Sequence, residues 1–260
     1  YFNAVDTINP SVFDLRPISN NTYNLSQILE ISANVTDNYA VSFVLANLTY
    51  PNGTTQQLTL SLATGNKYNT SFTIPTLIGR YNITIIANDT SNNLNNTQTT
   101  YFNAVDSTKS IVFDLKPTSN TNYTFSSTIE ISANVTDNIA VSSVLANLTY
   151  PNGTIQQLIL SLATGNKYNS SFTIPTLIGR YNITIIANDS SNNLNSSETT
   201  YFNAVDTINP SVFDLIPTAN STYNLSQILE ISANVTDNYA VSSVLANLTY
   251  PNGTIQQLTL

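Results

Sequence analysis

The sequence has no cysteine and no histidine among its 260 residues. Without cysteine there is no disulfide and no thiolate metal site, so the fold depends on packing alone. Without histidine the chain lacks the usual zinc ligand and the side chain that most often moves protons near neutral pH. A carboxylate pair such as Asp37 and Asp89 would remain for catalysis, but both residues lie in predicted turns. We therefore expect that this chain is not an enzyme and that its fold requires no cofactor.

Charged residues are also scarce, at 8% of the chain, while hydrophobic residues make up 41%. That hydrophobic content is enough for a packed core and argues against disorder. Asparagine, serine and threonine supply the polar surface in place of lysine and glutamate. Only seven lysines and arginines are present against a net charge of −8, so no basic stripe is available for nucleic acid.

Long apolar runs are absent as well. No stretch of 18 consecutive apolar residues occurs, so we expect no membrane span within these residues. They also show no signal peptide; if the chain is longer, both features could lie outside this window.

What the sequence does contain is a repeat. The hexapeptide Tyr-Phe-Asn-Ala-Val-Asp begins at residues 1, 101 and 201, which gives a period of 100 residues. Solenoid units are much shorter, at roughly 20–45 residues, whereas about 100 residues suit one β-sandwich domain. The repeat therefore predicts one domain per period.

The linker after each hexapeptide sets the predicted domain boundaries near residues 6, 106 and 206, where turn-forming residues and, at residues 10 and 210, proline follow the hexapeptide. Residues 1–6 are then the last-strand remnant of a preceding repeat, 7–106 and 107–206 are complete domains, and 207–260 are the first half of a third. A half sandwich does not bury its inner face. Either these residues are a window on a longer array, which we favour, or neighbouring subunits complete the half domain.

Within each period, apolar and polar residues alternate as in half-buried strands. In residues 79–89, Tyr81, Ile83, Ile85 and Ala87 share one parity, and polar residues occupy most of the other. The opening Gly-x-Tyr is typical of strand F in an immunoglobulin-like (Ig-like) sandwich, where the tyrosine hydroxyl returns to the backbone. Seven strands are predicted in the first period, over residues 12–15, 28–36, 41–50, 58–62, 68–74, 79–89 and 97–105. The predicted fold class is all-β, with tandem Ig-like β-sandwiches arranged end to end.

Two apolar residues depart from this alternation. Leu45 and Ile86, with Leu145 and Ile186 in the second period, have outward parity on neighbouring strands. They are either ordinary exposed apolar side chains or a lateral contact between chains in a bundle or filament.

Asn-x-Ser/Thr sequons are unusually dense. They are centred on Asn20, Asn24, Asn34, Asn47, Asn52, Asn69, Asn82, Asn88 and Asn95; on Asn122, Asn134, Asn147, Asn152, Asn169, Asn182, Asn188 and Asn195; and on Asn220, Asn224, Asn234, Asn247 and Asn252. A polar strand face built from asparagine and threonine produces some sequons by itself. We favour N-glycosylation at many of them, which places the chain outside the cytoplasm, at the cell surface or beyond it.

Most aspartates fall at three recurring places. They lie in the linkers (Asp6, Asp106, Asp206), in the turn between the second and third strands (Asp37, Asp137, Asp237) and in the turn after strand F (Asp89, Asp189). In a sandwich these places meet at one end of a domain, where Asn38 and Asn138 also lie. The pattern fits either good Asp-Asn turns or a structural Ca²⁺ site, since Ca²⁺ prefers carboxylate and amide oxygens. In the second linker Lys109 and Ser110 replace Asn9 and Pro10, which predicts a weaker joint or Lys109 as its counter-charge.

Four motifs recur along the chain: Val-Asp-Thr-x-x-Pro, Thr-Asp-Asn-x-x-Val, Tyr-Pro-Asn-Gly-Thr and Gly-x-Tyr…Ala-x-Asp-x-Ser-x-Asn. Together they resemble the tandem Ig-like repeats of archaeal and bacterial surface proteins. The resemblance implies a stalk, envelope or filament role and, in some members, Ca²⁺ between domains; the dense sequons and lack of cysteine lean towards an archaeal envelope. We therefore expect a structural, N-glycosylated extracellular stalk or filament subunit whose partners are copies of itself and covalent glycans. The alternative is an adhesin or carbohydrate-binding repeat protein, with a site in loops such as those of Tyr39 or Lys67. A self-formed crosslink from Lys67 or Lys167 to an asparagine is a further alternative.

Overall fold

The computed structural model describes all 260 residues and contains strands and turns but no helix. Accordingly, no helix is long and apolar enough to cross a membrane. The chain divides into two compact units. The first comprises Tyr1–Ile111, Val135–Ser143 and Ala187–Asn195, and the second comprises Val112–Asn134, Val144–Ile186 and Ser196–Leu260. The all-β prediction is confirmed; the domain boundaries near residues 6, 106 and 206 stay a prediction.

Eight strands make up the first repeat. They are β1 Ser11–Arg16, β2 Asn21–Asn24, β3 Ile28–Thr36, β4 Val41–Thr49, β5 Thr55–Thr64, β6 Lys67–Thr73, β7 Gly79–Asp89 and β8 Leu94–Val105. The predicted strands over 28–36 and 79–89 have the same bounds as β3 and β7. The sequence predicted only seven strands and none over residues 21–24, so it missed β2. This strand pairs in parallel with the end of β8, a long-range contact that no local pattern reveals.

The eight strands form the two layers of an Ig-like sandwich. The order is β1-β3-β6-β5-β4-β7-β8-β2, and β5 belongs to both layers. Its first part pairs with β4, and its last residues pair with β6. The chain also changes layer between β1, which pairs with β3, and β2, which pairs with β8. We call the face of β1, β3 and β6 that points away from the core the ABE face, and the corresponding face of β4, β7 and β8 the CFG face.

The core between the layers is built from the inward residues of the alternating strands. Val44, Ala46 and Leu48 of β4 are at most 1% exposed, and the inward residues that the alternation predicted on β7 are fully buried. An aromatic cluster fills the centre, with Tyr81 and Phe102 stacked at 4.8 Å between ring centroids. Such pairs contribute about 0.5–1.5 kcal/mol beyond the apolar area that they bury.

The Gly-x-Tyr segment at the start of β7 forms a tyrosine corner. The buried Tyr81 hydroxyl donates a hydrogen bond to the backbone carbonyl of Leu77 at 3.0 Å, and its burial raises its pKa to about 12. Gly79 has φ 131°, and a Cβ added there would lie 2.8 Å from Cβ of Pro51. Glycine is therefore needed at this position both for its backbone conformation and for space.

The second repeat has the same plan. Its strands are β9 Ile111–Lys116, β10 Thr121–Thr124, β11 Thr128–Thr136, β12 Val141–Thr149, β13 Ile155–Thr164, β14 Lys167–Thr173, β15 Gly179–Asp189, β16 Leu194–Asn195 and β17 Thr199–Val205. Pairings of the first repeat recur, including the parallel pair β10–β17. The third repeat contributes β18 Ser211–Ile216 paired with β19 Ser232–Thr236, and β20 Leu245–Thr249 paired with β21 Ile255–Thr259. Apolar residues such as Leu225 and Ile228 are almost fully exposed there, as expected for half a sandwich.

One residue that faces outward is nevertheless buried. Ser32 has outward parity on β3, yet it is only 1% exposed, and Ser132 is the same. The cross-strand neighbours of Ser32 are Arg16 and Asn69, whose longer side chains flank the short hydroxyl on the ABE face.

Candidate metal centre and candidate glycosylation sites

Three aspartates converge at one end of the first sandwich. Asp6 lies before β1, Asp37 lies in the loop between β3 and β4, and Asp89 is the last residue of β7. One carboxylate oxygen from each lies within 4.8 Å of the other two. The structure therefore brings together the three recurring acidic positions that the sequence singled out.

Two of these carboxylates keep an oxygen without a partner. One oxygen of Asp6 accepts hydrogen bonds from the Ile8 amide at 3.0 Å and the Asn38 side chain at 3.1 Å. One oxygen of Asp37 accepts the amides of Tyr39 and Ala40, as expected of an Asx turn. The second oxygens, Oδ2 of Asp6 and Oδ1 of Asp37, are buried and accept no hydrogen bond. The local hydrogen bonds thus use only one of the two oxygens of each carboxylate.

Asp89 differs because both of its oxygens are hydrogen-bonded. Oδ1 accepts the amides of Ser91 and Asn93 at 2.8 Å, and Oδ2 accepts the Asn93 side chain at 2.7 Å. Burial acts to raise the pKa of Asp89, but the Asn93 and Ser91 hydrogen bonds hold it below its usual value. Asn93 also donates to the backbone carbonyl of Asp6 at 3.1 Å, so it ties the linker to the turn. The sequence analysis did not single out Asn93, although Asn193 recurs at the same place with the same bonds.

The second cluster, Asp106, Asp137 and Asp189, has the same arrangement and lies within the first unit. Asp106 is 8% exposed, and its Oδ2 has no hydrogen-bond partner. Asn138 donates to its other oxygen at 3.1 Å, as Asn38 does for Asp6.

In the second linker, Ser110 contacts the acidic cluster and Lys109 does not. Buried Ser110 donates to the free oxygen of Asp137 at 3.3 Å, whereas Lys109 is exposed and forms no ion pair. The hypothesis that Lys109 serves as counter-charge is therefore not supported.

The same place in the third repeat holds Asp206 and Asp237. Asp206 accepts the Asn238 side chain at 3.2 Å, and Asp237 keeps a buried oxygen without a partner.

The donor set fits a hard divalent cation. Two oxygens bound to one Ca²⁺ at about 2.3–2.6 Å lie at most about 5 Å apart, and the clustered oxygens lie within 4.8 Å. Three neighbouring carboxylates repel one another, and the partnerless oxygens have lost water without gaining a donor. Asn38 and Asn138 lie beside the clusters, with their amide nitrogens directed at Asp6 and Asp106.

Apolar contacts accompany these clusters. Ile139, two residues after Asp137, packs against the hydrophobic core of the first repeat. The equivalent Tyr239 lies with its ring 5.8 Å from that of Phe125, within the second unit. Tyr39, the same position in the first repeat, is 77% exposed. The loop that carries the second aspartate of a repeat therefore also carries an apolar contact to the preceding repeat.

The sequons fall into three groups by environment. Asn88 is buried at 7% exposure, and Asn95 donates its amide to the Pro10 carbonyl at 2.8 Å. Asn20, Asn24 and Asn52 are exposed in or beside turns. Asn34, Asn69, Asn47 and Asn82 lie on strands with outward parity. Six sequons of the second repeat have the same environment as their counterparts: Asn134, Asn147, Asn152, Asn169, Asn182 and Asn195. Asn188 is half-buried rather than buried, and Asn122, which has no counterpart in the first repeat, is exposed on β10.

The two outward apolar residues are neighbours. Leu45 and Ile86 pair directly across β4 and β7 on the CFG face, and both are half-buried, as are Leu145 and Ile186. Because none is fully solvated, the lateral contact that we proposed for them stays a prediction.

Lys67 forms an ion pair with Glu30 at 2.7 Å, and Lys167 does the same with Glu130. The hydrogen bond from Lys67 holds the pKa of Glu30 below its usual value. A lysine–asparagine crosslink needs an uncharged amine and a protonated acid in a dry site, and this ion pair is partly exposed. The geometry therefore argues against the crosslink.

Comparison with known proteins gave matches only among solved structures, since neither a family model nor a curated protein matched. Fibronectin(III)-like modules of CbhA from Clostridium thermocellum have 18% identity, cover 75% of this chain and 93% of that chain, and give a TM-score of 0.33. A tetra-tandem repeat from the extending region of a large adhesion protein has 19% identity and a TM-score of 0.43; the match covers 97% of this chain and 62% of that chain. Titin A168–A169 has 9% identity, 76% and 100% coverage, and a TM-score of 0.39.

These values are too low to transfer a function or to serve as a basis for the fold. The assignment rests on this chain's own strand order, its two layers and its tyrosine corner. On those grounds the chain consists of tandem Ig-like β-sandwich repeats.

Proposed function

We propose that this chain is a structural part of an extracellular, N-glycosylated stalk or filament, in which Ig-like modules give length and stiffness. The observation that carries the proposal is the acidic cluster, which recurs with the same partners at the same end of the two complete repeats. A cluster that recurs in each repeat, in contrast to one distinctive pocket in a single repeat, is expected of a mechanical role.

In this proposal Ca²⁺ binds each cluster and stiffens the joint. Asp6 belongs to the linker, while Asp37 and Asp89 belong to loops of the domain that follows. An ion shared by all three offsets their repulsion and fixes the linker to those loops. The apolar contact made by Ile139 acts at the same joint and does not depend on the ion.

Glycans would hydrate a surface that carries few charged residues. With charged residues at 8%, the exposed strands depend on asparagine, serine and threonine for their polarity. Glycans on these strands would also cover sheet edges against pairing with other chains. N-glycosylation requires export, which supports an extracellular or surface location.

Joint stiffness is measurable by small-angle scattering of the intact chain with Ca²⁺ and with a chelator. We expect Ca²⁺ to narrow the distribution of maximum dimensions and chelation to broaden it. The variant Asp106→Asn should behave as the chelated protein in both conditions, whereas Asp114→Asn, at an exposed aspartate outside the clusters, should respond as the wild type. Identical distributions in all samples would rule out cation-dependent stiffening.

The second candidate function is carbohydrate binding by an adhesin. A polar groove on the ABE face recurs in both complete repeats, lined in the first by Asp14, Arg16, Tyr23, Glu30 and Lys67. Asp14 has φ 51°, a conformation that side-chain-bearing residues rarely adopt, at a bulge in β1. Binding of oligosaccharides to the intact chain, lost in Arg16→Ala and Lys116→Ala, would favour this function over a purely mechanical one.

Lateral association remains part of the filament proposal. Leu45 and Ile86 would form the contact between neighbouring chains, together with Leu145 and Ile186 in the second repeat. Sedimentation of the wild type and of Leu145→Lys tests it, because a charge on this half-buried strip should abolish any association. Wild-type chains that stay monomeric at high concentration would contradict the lateral contact.

A further inference from the structure

The two outward faces of the sandwich hold their sequon amides in opposite orientations. On the CFG face, Nε of Arg80 donates to Oδ1 of Asn82 at 2.8 Å, and Arg180 does the same to Asn182. A guanidinium has only donors, so the atom of Asn82 that faces it must be the carbonyl oxygen. The amide nitrogen Nδ2, the atom that a sugar would be attached to, is thereby turned away from Arg80.

Asn47, on the neighbouring strand of the same face, has the same arrangement. Gln57 donates to its Oδ1 at 2.9 Å, and the equivalent bond recurs at Asn147 and Asn247. In the β4–β7 register Asn47 lies opposite Thr84, and Thr49 lies opposite Asn82. The two sequons therefore lie side by side, each asparagine facing the hydroxyl residue of the other.

On the ABE face the amide nitrogens point the other way. Nδ2 of Asn34 donates to Oδ2 of Asp14 at 2.9 Å, and Nδ2 of Asn69 donates to Oε1 of Glu30 at 2.7 Å. An ionised carboxylate only accepts hydrogen bonds, so here the nitrogen must be the atom that faces the protein. The same bonds recur at Asn134, Asn169 and Asn234.

This difference bears directly on the chemistry of glycan transfer. Nδ2 attacks the anomeric carbon of a sugar carried on a lipid phosphate or diphosphate. A nitrogen–carbon bond forms, the bond from that carbon to the phosphate oxygen breaks, the phosphate leaves with the electron pair, and one amide proton is released. Asp14 and Glu30 each hold one N–H of the amide nitrogen against the protein and repel the anionic donor, whereas Arg80 binds the amide oxygen instead and attracts the donor.

We propose that, among the sequons on the strand faces, glycans are attached on one face of each sandwich only: at Asn47 and Asn82 of the CFG face and their repeats, while Asn34 and Asn69 of the ABE face stay unmodified. The inference rests on the proposed glycoprotein function and adds which of these sequons are used. It leaves the ABE face of each sandwich, with its charged groove, uncovered.

The test is site-by-site occupancy in the chain exported by a cell that attaches N-glycans, measured on intact glycopeptides by mass spectrometry. The repeats are distinguishable because Thr70 and Thr90 are replaced by Ser170 and Ser190. We expect occupancy at Asn82 and Asn182 to exceed that at Asn69 and Asn169 severalfold. No glycan at any sequon would contradict the glycoprotein proposal itself, whereas equal occupancy on both faces would overturn one-sidedness alone.

Two variants separate amide orientation from simple exposure, each with the unaltered repeat as internal control. Arg80→Glu places an acceptor beside Asn82, so occupancy at Asn82 should fall severalfold while Asn182 is unchanged. Glu30→Ala releases Nδ2 of Asn69, so occupancy at Asn69 should rise while Asn169 is unchanged. Both variants alter exposed side chains and should stay folded, which circular dichroism checks. Unchanged occupancy at Asn82 and Asn69 in these variants would overturn the proposal.

Discussion

The hydroxyl of Tyr81 donates a hydrogen bond to the backbone carbonyl of Leu77, four residues earlier, at 3.0 Å. Tyr81 is fully buried and stacks on Phe102 of the neighbouring strand, so this one side chain joins the corner before β7 to the centre of the core. Tyr181 makes the same bond to Leu177.

Removing the hydroxyl should destabilise the domain without disturbing its packing. We expect Tyr81→Phe to lower the free energy of unfolding by about 0.5–1.5 kcal/mol, the usual worth of one intramolecular hydrogen bond, since the ring itself is retained. Urea denaturation followed by circular dichroism measures the change. Tyr39→Phe, at an exposed ring, is the matched control and should change stability little. Equal effects of the two variants would contradict the corner's structural role.

The same tyrosines predict a loss of stability in alkali. Burial raises the pKa of Tyr81 and Tyr181 from the ordinary 10.0 to about 12. Because the folded pKa lies above the unfolded one, this stabilisation is complete below pH 10 and is lost as pH rises towards 12. Absorbance of tyrosinate should show two of the 15 tyrosines ionising last, together with unfolding. In the double variant Tyr81→Phe and Tyr181→Phe the late step should disappear.

Substitution of one clustered aspartate should act in opposite directions with and without Ca²⁺. In the chelated protein, Asp106→Asn removes one of three mutually repelling charges and should raise the melting temperature. In the wild type, Ca²⁺ at about 100 times its Kd should stabilise by about 2.7 kcal/mol for each cluster that it occupies, and Asp106→Asn should lose the contribution of the second cluster while that of the first remains. Thermal scans by circular dichroism measure both effects.

An aspartate outside the clusters supplies the control for that experiment. Asp114→Asn should leave the Ca²⁺ response unchanged, because Asp114 is exposed on the ABE face and belongs to neither cluster. A wild-type melting temperature that does not respond to Ca²⁺ would show that the aspartates only form turns.

Truncation of Ile139 should lower the free energy of unfolding more than truncation of Tyr39, its exposed counterpart in the first repeat. Ile139 is half-buried against the first core, so Ile139→Ala should destabilise by about 1–3 kcal/mol, somewhat less than for a fully buried isoleucine. Tyr39→Ala should change stability by less than about 0.5 kcal/mol, since that ring is exposed. Urea denaturation measures both, and similar costs would mean that Ile139 does not stabilise the joint.

Much of the fold was predictable because its signals are local. Alternation with period two assigned β3 and β7 with their observed bounds, and Gly-x-Tyr predicted the corner at Tyr81. Recurrence of the aspartates with the repeat marked the three positions that meet at the end of the sandwich. These features depend on neighbouring residues or on the period, both of which can be read along the chain.

The features that were missed or misassigned depend on partners distant in sequence. The parallel pairing of β2 with β8 added a strand that the sequence analysis had not predicted, and cross-strand neighbours on the outward face buried Ser32. Ser110, rather than Lys109, reached Asp137.

The sequence by itself determined the strands, the 100-residue period and the positions of the acids and sequons, because each follows from residue type and spacing. Only the tertiary structure decided which carboxylate oxygens lack a hydrogen-bond donor. It also decided whether the amide oxygen or the amide nitrogen of a strand-face sequon contacts the protein. Those properties depend on what lies opposite across a layer or a loop: Arg80 beside Asn82, and Asp14 beside Asn34. Identical Asn-x-Thr motifs thus acquire opposite orientations because a guanidinium donates hydrogen bonds and a carboxylate accepts them.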